Sequence, residues 1–396
     1  MVLMYAFTMP LSRAAVALFS ALLIVMLIVH PKWKERFIEL GTSDVFRAFL
    51  LFFVFSLLTL LWTSSENLHD AFRYIGRMWY ILPAFAIFII LPKEMIFKVL
   101  SAFLLGMIIS EILSFGIFFE WWSINGKTTT DPTPFMHRII YSAFLTVTSL
   151  IVFNKFFDQN ELKYKIIYFI YFLVVTSNLF INGGRTGQMA FIVAMFVLGF
   201  MRIKNKIFAF FVIAALQIVI FTTAYNVSPN FNQRINQGGS DISKAVNQNQ
   251  YCSSWGVRLA YIIGGSQIVF NNPLLGVGYG DDMDMMVEMS RLTNPEFKCA
   301  HGKHFHNQYI QTSTQSGLVG LGLLLLFLYT VFKIKIENVE IRNIKWILLS
   351  TYVVTFIPEP LFGRQFSLAL FSLMLGLILA QYRTEKIDLK LEGTAK

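Results

Sequence analysis

Ala48-Phe49-Leu50-Leu51-Phe52-Phe53-Val54-Phe55-Ser56-Leu57-Leu58-Thr59-Leu60-Leu61-Trp62 runs without one ionisable side chain. A continuous apolar run of this kind, extended back to residue 44, is long enough at 1.5 Å per residue to cross a hydrocarbon core. The rest of the chain repeats it. Of 396 residues 56% are hydrophobic and only 14% charged, with mean hydropathy +0.59, too little polar surface to cover a soluble globule. Spans are expected at about 11–29, 44–62, 75–91, 95–119, 139–157, 165–182, 186–201, 206–224, 316–332, 344–357 and 365–381. The fold class is therefore an all-α polytopic membrane protein of about 11–12 transmembrane helices. Unbroken apolar runs exclude a barrel, whose strands alternate inward and outward residues. Pro10 follows the apolar run Met1–Met9, which reads either as a re-entrant half-helix or as a twelfth crossing. That segment is expected to be retained, because the run past Ala21 stays apolar to Val29 and no small-residue cleavage site precedes a polar start.

Lysine and arginine set the orientation. Lys32, Lys34 and Arg36 follow the first span; Lys93 and Lys98, then Lys155, Lys163 and Lys165, then Arg202, Lys204 and Lys206 mark later turns. Lys333, Lys335, Arg342 and Lys345, and finally Arg383 and Lys386, continue the pattern. Every second loop is basic, so these loops are expected in the cytoplasm and the stretches 63–74, 120–138, 183–185, 225–315 and 358–364 outside. The net charge of +10 follows from this topology and gives no reason to invoke nucleic acid. The expected division is a helical bundle over 1–224, an external loop domain over 225–315, the last membrane helices over 316–382 and a cytoplasmic tail over 383–396.

About ninety residues between the eighth and ninth spans hold no spanning run, and a loop of that length is usually functional. Ser253 or Ser254 can cap a helix running from Trp255 to Ile268, before Asn271-Asn272-Pro273. Gly276-Val277-Gly278-Tyr279-Gly280 then requires positive φ, and a second short helix starts at Asp281-Asp282 and ends before Pro295. The glycines follow no strand, so they fail the context test for a dinucleotide site.

Three external residues suit a reaction at an anionic group. Arg185 lies in Asn182-Gly183-Gly184-Arg185-Thr186-Gly187, where a helix N-terminus and a guanidinium both attract anions. Alone it reads equally as an arginine snorkelling to headgroups. Arg258 occupies a first helical turn, an unfavourable place for a cation unless an anion lies nearby; a solvated loop arginine is the plainer alternative. His306, in His304-Phe305-His306-Asn307-Gln308-Tyr309, can accept a proton or orient a hydroxyl, or can serve as a structural residue at a helix start. Cys299, His301, His304 and His306 form a tract that a metal could use, although its spacing matches no common zinc pattern. Arg138 with His137, and Arg364 with Glu359, either complete the pocket or anchor the interface. Glu111 lies within a span without an obvious partner. Cys252 and Cys299, the only cysteines, fall in one external loop, which an oxidising compartment would allow to pair; two free thiols are the alternative.

In order and spacing, Arg258, then Asn272-Pro273-Leu274-Leu275-Gly276-Val277-Gly278, then His306-Asn307-Gln308-Tyr309-Ile310-Gln311 and Gly317-Leu318-Val319-Gly320 resemble the signature of the O-antigen ligase and polymerase superfamily. The resemblance covers about residues 180–325. It implies that Arg185, Arg258 and His306 are functionally critical, with Asn307 and Tyr309 in the same motif as supporting positions. It also implies a glycan donor on polyprenyl (undecaprenyl) pyrophosphate and an inverting transfer without metal or other cofactor. The expected enzyme is an O-antigen ligase with a lipid A–core acceptor, in a bacterial inner membrane with its site facing the periplasm. The related polymerase and the protein-glycosylating branch are alternatives, the latter usually carrying a larger C-terminal portion. A lipid-linked glycan transporter is the alternative of another class, but it would place its ionisable groups near the bilayer midplane.

The topology is checked by single-cysteine labelling of intact cells with an impermeant reagent, in a cysteine-free background. A cysteine replacing Asn232 is expected to react and one replacing Asn205 to stay protected; the opposite pattern overturns the site assignment.

Overall fold

The computed structural model describes residues 1–29 and 31–394, and among the described residues every regular element is helical. In chain order these are α1 (Val2–Thr8), α2 (Arg13–Val29), α3 (Trp33–Gly41), α4 (Asp44–Leu58), α5 (Leu68–Gly76), α6 (Leu82–Ile90) and α7 (Ile96–Phe118). The chain continues through α8 (Arg138–Asp158), α9 (Leu162–Ile181), α10 (Arg185–Arg202) and α11 (Lys206–Val227). The loop domain supplies α12 (Pro229–Gln248), α13 (Ser254–Asn271) and α14 (Asp281–Leu292), and the chain closes with α15 (Gln308–Lys333), α16 (Val339–Thr355) and α17 (Gln365–Thr394).

Each of the eleven expected spans is a helix or a pair of consecutive helical pieces. Among the described residues eight stretches are long and apolar enough to cross a membrane unaided, or nine if α2 and α3 form one bent span. The shortfall lies in α2 and α16, each 17 residues long, and in α10, which has an arginine at both ends and Gln188 inside. Partners compensate: α10 packs against both α8 and α16, so its polar side chains meet protein instead of lipid. Met1–Met9 contains the half-helix α1, whose Tyr5, Ala6 and Met9 are buried and which lies against α7.

Side-chain bonds sort the loops onto two faces. On one, Ser64 and Asn67 donate to Asp281, Arg77 donates to the Gly363 carbonyl, and Arg13 donates to Gln365. On the other, Lys155 pairs with Glu340 at 2.5 Å, Arg202 with Asp158 at 2.5 Å and Lys93 with Asp388 at 2.7 Å. The expected tail from Arg383 is helical, since α17 runs on to Thr394; residues 395–396 lie outside the described residues. Its polar face docks instead of fraying: Arg383 donates to the Phe88 carbonyl, and Glu385 accepts the Glu337 and Asn338 N–H groups at 2.8 and 2.9 Å.

The ninth span starts earlier than expected. Asn307 caps α15 by accepting the Ile310 N–H, and the polar run Gln311–Gln315 is helical and buried in protein. The helix then breaks at Ser316 and Gly317, the latter at φ +64°. The Asn-Pro-Leu-Leu-Gly-Val-Gly loop fills the break. Val277 and Gly278 donate to the Thr314 and Gln315 carbonyls at 2.8 and 3.1 Å, while Leu318 and Val319 donate to Pro273 and Leu274 at 2.8 and 3.3 Å. A broken helix near lipid is tolerated only when its freed backbone groups find such partners. Gly276 and Gly278 supply the positive φ, and the glycine run is therefore the half of a backbone interlock that faces α15.

A methyl group at position 317 would lie 2.1 Å from the Leu274 carbonyl oxygen, at a φ that alanine disfavours. Gly317→Ala is expected to destabilise the protein by about 2–4 kcal/mol. Gly322→Ala, with open space around it, serves as the control. Thermal unfolding of both variants in detergent checks this; equal midpoints refute the interlock.

Candidate active site

His306 precedes the Asn307 cap and sits in the left-handed region at φ +49°, which histidine tolerates better than most residues. This turn aims its ring back at Glu359, in the segment between α16 and α17. Nδ1 of His306 lies 3.0 Å from Glu359 Oε2, and Arg364 Nη2 donates to Glu359 Oε1 at 3.2 Å and to His304 Nε2 at 2.8 Å. Glu359 is buried. Burial pushes its carboxyl up, but the His306 hydrogen bond and the neighbouring His304, His306 and Arg364 outweigh this and hold it at about 2. Burial draws His304 down to about 4, so it is a neutral acceptor for Arg364. An ionised Glu359 fixes the His306 proton on Nδ1 and leaves Nε2 with its lone pair, on a side chain that is 30% exposed. That is the arrangement of an oriented general base.

The arginines converge from four elements. Gly184 and Gly187 let α10 approach α8 so closely that a side-chain carbon at either position would collide with Ser142. This seats Arg185, the first residue of α10, near Arg138, the first of α8. Arg185 donates to the Arg234 carbonyl of α12 and has Arg234, Arg258 and Arg138 as like-charged neighbours. Arg258, on the first turn of α13, lies over the Trp255 ring at 5.6 Å and donates to Ser254. Burial lowers its pKa against the opposing pull of Glu359, and Arg138 adds repulsion. One turn later Tyr261 stacks near His306, with ring centroids 5.9 Å apart. Charge couples Arg185 to Arg258 and Arg258 to Glu359, which bonds His306, so the three residues belong to one cluster.

Arg138 is a like-charged neighbour of Arg185 and Arg258, and Arg364 meets the histidines through His304 and Glu359. Asn307 and Tyr309 do not enter the cluster through the bonds they make: Asn307 caps α15 and the Tyr309 hydroxyl donates to the Val353 carbonyl at 2.9 Å. Cys252 and Cys299 are joined, with Cα atoms 5.2 Å apart, tying the start of α13 to the segment before His306. That removes the Cys299 thiolate from the Cys/His tract. His304, His306 and Glu359 still bring ligand atoms within 4.8 Å of one another, but the Arg364 guanidinium already bonds His304 and Glu359 and supplies the cation there. Glu111 accepts from the Tyr171 hydroxyl at 3.5 Å, within α7 and apart in sequence from these groups.

Sequence reading missed Arg234 and the role of His304. Arg234 sits in α12, whose asparagines, glutamines, Gly238 and Gly239 read as loop by propensity. The signals that remain are the Ser228 cap, which accepts the Phe231 N–H, and Pro229 at the first helical position.

A multi-pass helical membrane protein with a loop domain closing over a cluster of arginines and one carboxylate-oriented histidine is the class that fold and cleft define. Residues 170–325 match the family model described as O-antigen ligase, which supports the O-antigen ligase and polymerase superfamily. The matched stretch contains Arg185, Arg234, Arg258, His306 and the interlock. The chain is also similar to an uncharacterized protein of Haemophilus influenzae, 24% identical over 208 residues, 51% of each chain; it spans about half the length of that curated relative.

Beneath His306, Asp282 of α14 accepts a hydrogen bond from Gln311 of α15 at 2.5 Å. Burial pushes its carboxyl up from 3.8 to about 7, against smaller opposing hydrogen bonds from Gln315 and nearby backbone N–H groups. Between those values the folded state holds a proton that the unfolded chain has released, so stability falls as pH rises and levels off above about 7. Unfolding midpoints measured from pH 4 to 8 are expected to show this fall, and Asp282→Asn to flatten it; an unchanged slope in the variant refutes the assignment.

Proposed function

We propose that the chain is a glycosyltransferase of the O-antigen ligase type, moving a glycan from polyprenyl pyrophosphate to a lipid A–core acceptor on the periplasmic face of a bacterial inner membrane. The observation that carries the reading is the meeting of Arg185, Arg234, Arg258 and His306, all inside the stretch matched by the family model, with Glu359, which lies beyond it and holds His306. In the reaction, an acceptor hydroxyl gives its proton to His306 Nε2 while its oxygen attacks the anomeric carbon. The bond from that carbon to the pyrophosphate oxygen breaks, and the leaving group departs with the electron pair. Charge grows on the pyrophosphate as the bond lengthens, and guanidinium groups in a partly dry cleft stabilise it as they would any oxyanion. Arginine takes the place a divalent cation holds in other pyrophosphate chemistry. His306 and the acceptor lie opposite the leaving group, which favours inversion.

The test incubates purified protein with a polyprenyl-pyrophosphate glycan and either lipid A–core or a second donor molecule. Glycosylated core lipid supports the ligase; lengthened polyprenyl-linked chains favour the polymerase instead. Arg185→Ala, Arg258→Ala and His306→Ala are each expected to lower transfer by about 10²–10³-fold while the protein stays folded. Arg→Lys at 185 and 258 is expected to be poor as well, because lysine lacks the bidentate fork. Glu359→Gln should cost about 10²–10⁴-fold in kcat with little change in donor KM. A chelator is expected to have no effect; inhibition by chelation, reversed by a divalent ion, overturns the metal-free mechanism.

A further inference from the structure

A cationic cavity of about 410 Å³ has Arg364, the partner of Glu359, in its wall. Arg13 at the start of α2, Arg77 after α5, Lys127, His137 and Arg364 line it, with Phe366 as an apolar wall. Two of these charges are answered: Lys127 by Asp131 at 2.8 Å and Arg364 by Glu359 at 3.2 Å. Arg13 and Arg77 are not, among the described residues. Arg13 donates to the Gln365 side-chain carbonyl at 2.8 Å and Arg77 to the Gly363 backbone carbonyl at 3.0 Å, both neutral acceptors. Arg77 is half-buried, and its charged neighbours Arg364, Arg73 and Arg13 are all cations. Gathering like charges around a cavity is unfavourable unless an anion enters it, and two guanidinium forks match a phosphate.

The place of the cavity says which anion. Arg364 forms its wall and also bonds His304 and Glu359, the carboxylate that holds His306, so a ligand held there lies one side chain away from the His306–Glu359 pair. Resting on the glycosyltransferase reading, we propose that this cavity is the acceptor subsite and that Arg13 and Arg77 hold a phosphate carried by the acceptor glycolipid. The donor then has the Arg185–Arg258 side and the acceptor the Arg13–Arg77 side, with His306 between them. The same phosphate chemistry could come from a membrane phospholipid headgroup, which the test separates.

Transfer is measured with lipid A–core and with the same lipid after phosphatase treatment, using wild type, Arg13→Gln, Arg77→Gln and the double variant. Arg77→Lys, which retains a donor for Gly363, controls for folding. Each arginine lost is expected to raise KM for the phosphorylated acceptor about tenfold, the loss of one charge-assisted contact, and to leave donor KM unchanged. The dephosphorylated acceptor should be poor with wild type and insensitive to the variants. Equal losses with both acceptors, or a rise in donor KM, overturn the subsite. Binding of lipid A–core is read separately by native mass spectrometry, so that absence of transfer, which counts against the enzyme reading, leaves the subsite testable. Retention of lipid A–core by the double variant overturns the proposal, as does equal, Arg13- and Arg77-dependent binding of phosphatidylglycerol; selective loss of lipid A–core supports it.

Discussion

Four backbone hydrogen bonds, exchanged between the break in α15 and the loop Pro273–Gly278, are the constraint on which the cleft depends. The break frees two carbonyls and two N–H groups where water is scarce, and unpaired groups of this kind cost several kcal/mol. The loop supplies complementary groups in the same order, which fixes where α13 ends and α14 begins. Because α13 carries Arg258 and the first half of α15 follows directly from His306, the interlock sets the distance between arginine and histidine. The disulfide from Cys252 to Cys299 closes the other end of the same unit, joining the residues ahead of Arg258 to those ahead of His306.

The membrane helices were legible because their signal is local: an apolar run of sufficient length has few folds open to it. The helix limits from Ser253 and from Asp281 were equally local, since a capping serine and an acidic first turn act within a few residues. What could not be read locally was compensation. Whether α10 tolerates Gln188 depends on α8 and α16, and whether α17 continues past Arg383 depends on carbonyls of α6. The arginines and His306 were visible as residues of the right type in a familiar order. Their relation to one another was not, because Arg234 hides in a helix of poor propensity and Glu359 lies 53 residues beyond His306. The glycine run was legible as a need for positive φ, but its partner, the broken helix, has no mark in sequence beyond Gly317.

The cleft separates two electrostatic tasks. Arg138, Arg185, Arg234 and Arg258 form a field whose acidic neighbours are Asp241, Asp131 and Glu359, fewer carboxylates than guanidinium groups, and such an excess is useful toward an anion. Glu359 bonds His306 and Arg364 directly and reaches Arg258 through charge alone, so its hydrogen bonds are committed to the histidine side of the cluster. His304, kept neutral by burial, accepts from Arg364 and so adds a second anchor, beside Glu359, for that guanidinium.

The interlock also bears on how the loop domain meets the bilayer. Phe270, Leu274 and Leu275 are 84%, 66% and 48% exposed, and they adjoin Leu318 and Val319, where α15 becomes an apolar, outward-facing helix. These five side chains form one continuous greasy edge. The domain is therefore gripped twice, once by backbone bonds inside the protein and once by wetting of its own rim with acyl chains. Lifting it would mean pulling large apolar side chains out of lipid into water, at about 1.5–3 kcal/mol for each that was fully immersed. On the glycosyltransferase reading proposed above, a lipid-linked donor would approach the arginines from the side, along this rim, without climbing out of the membrane.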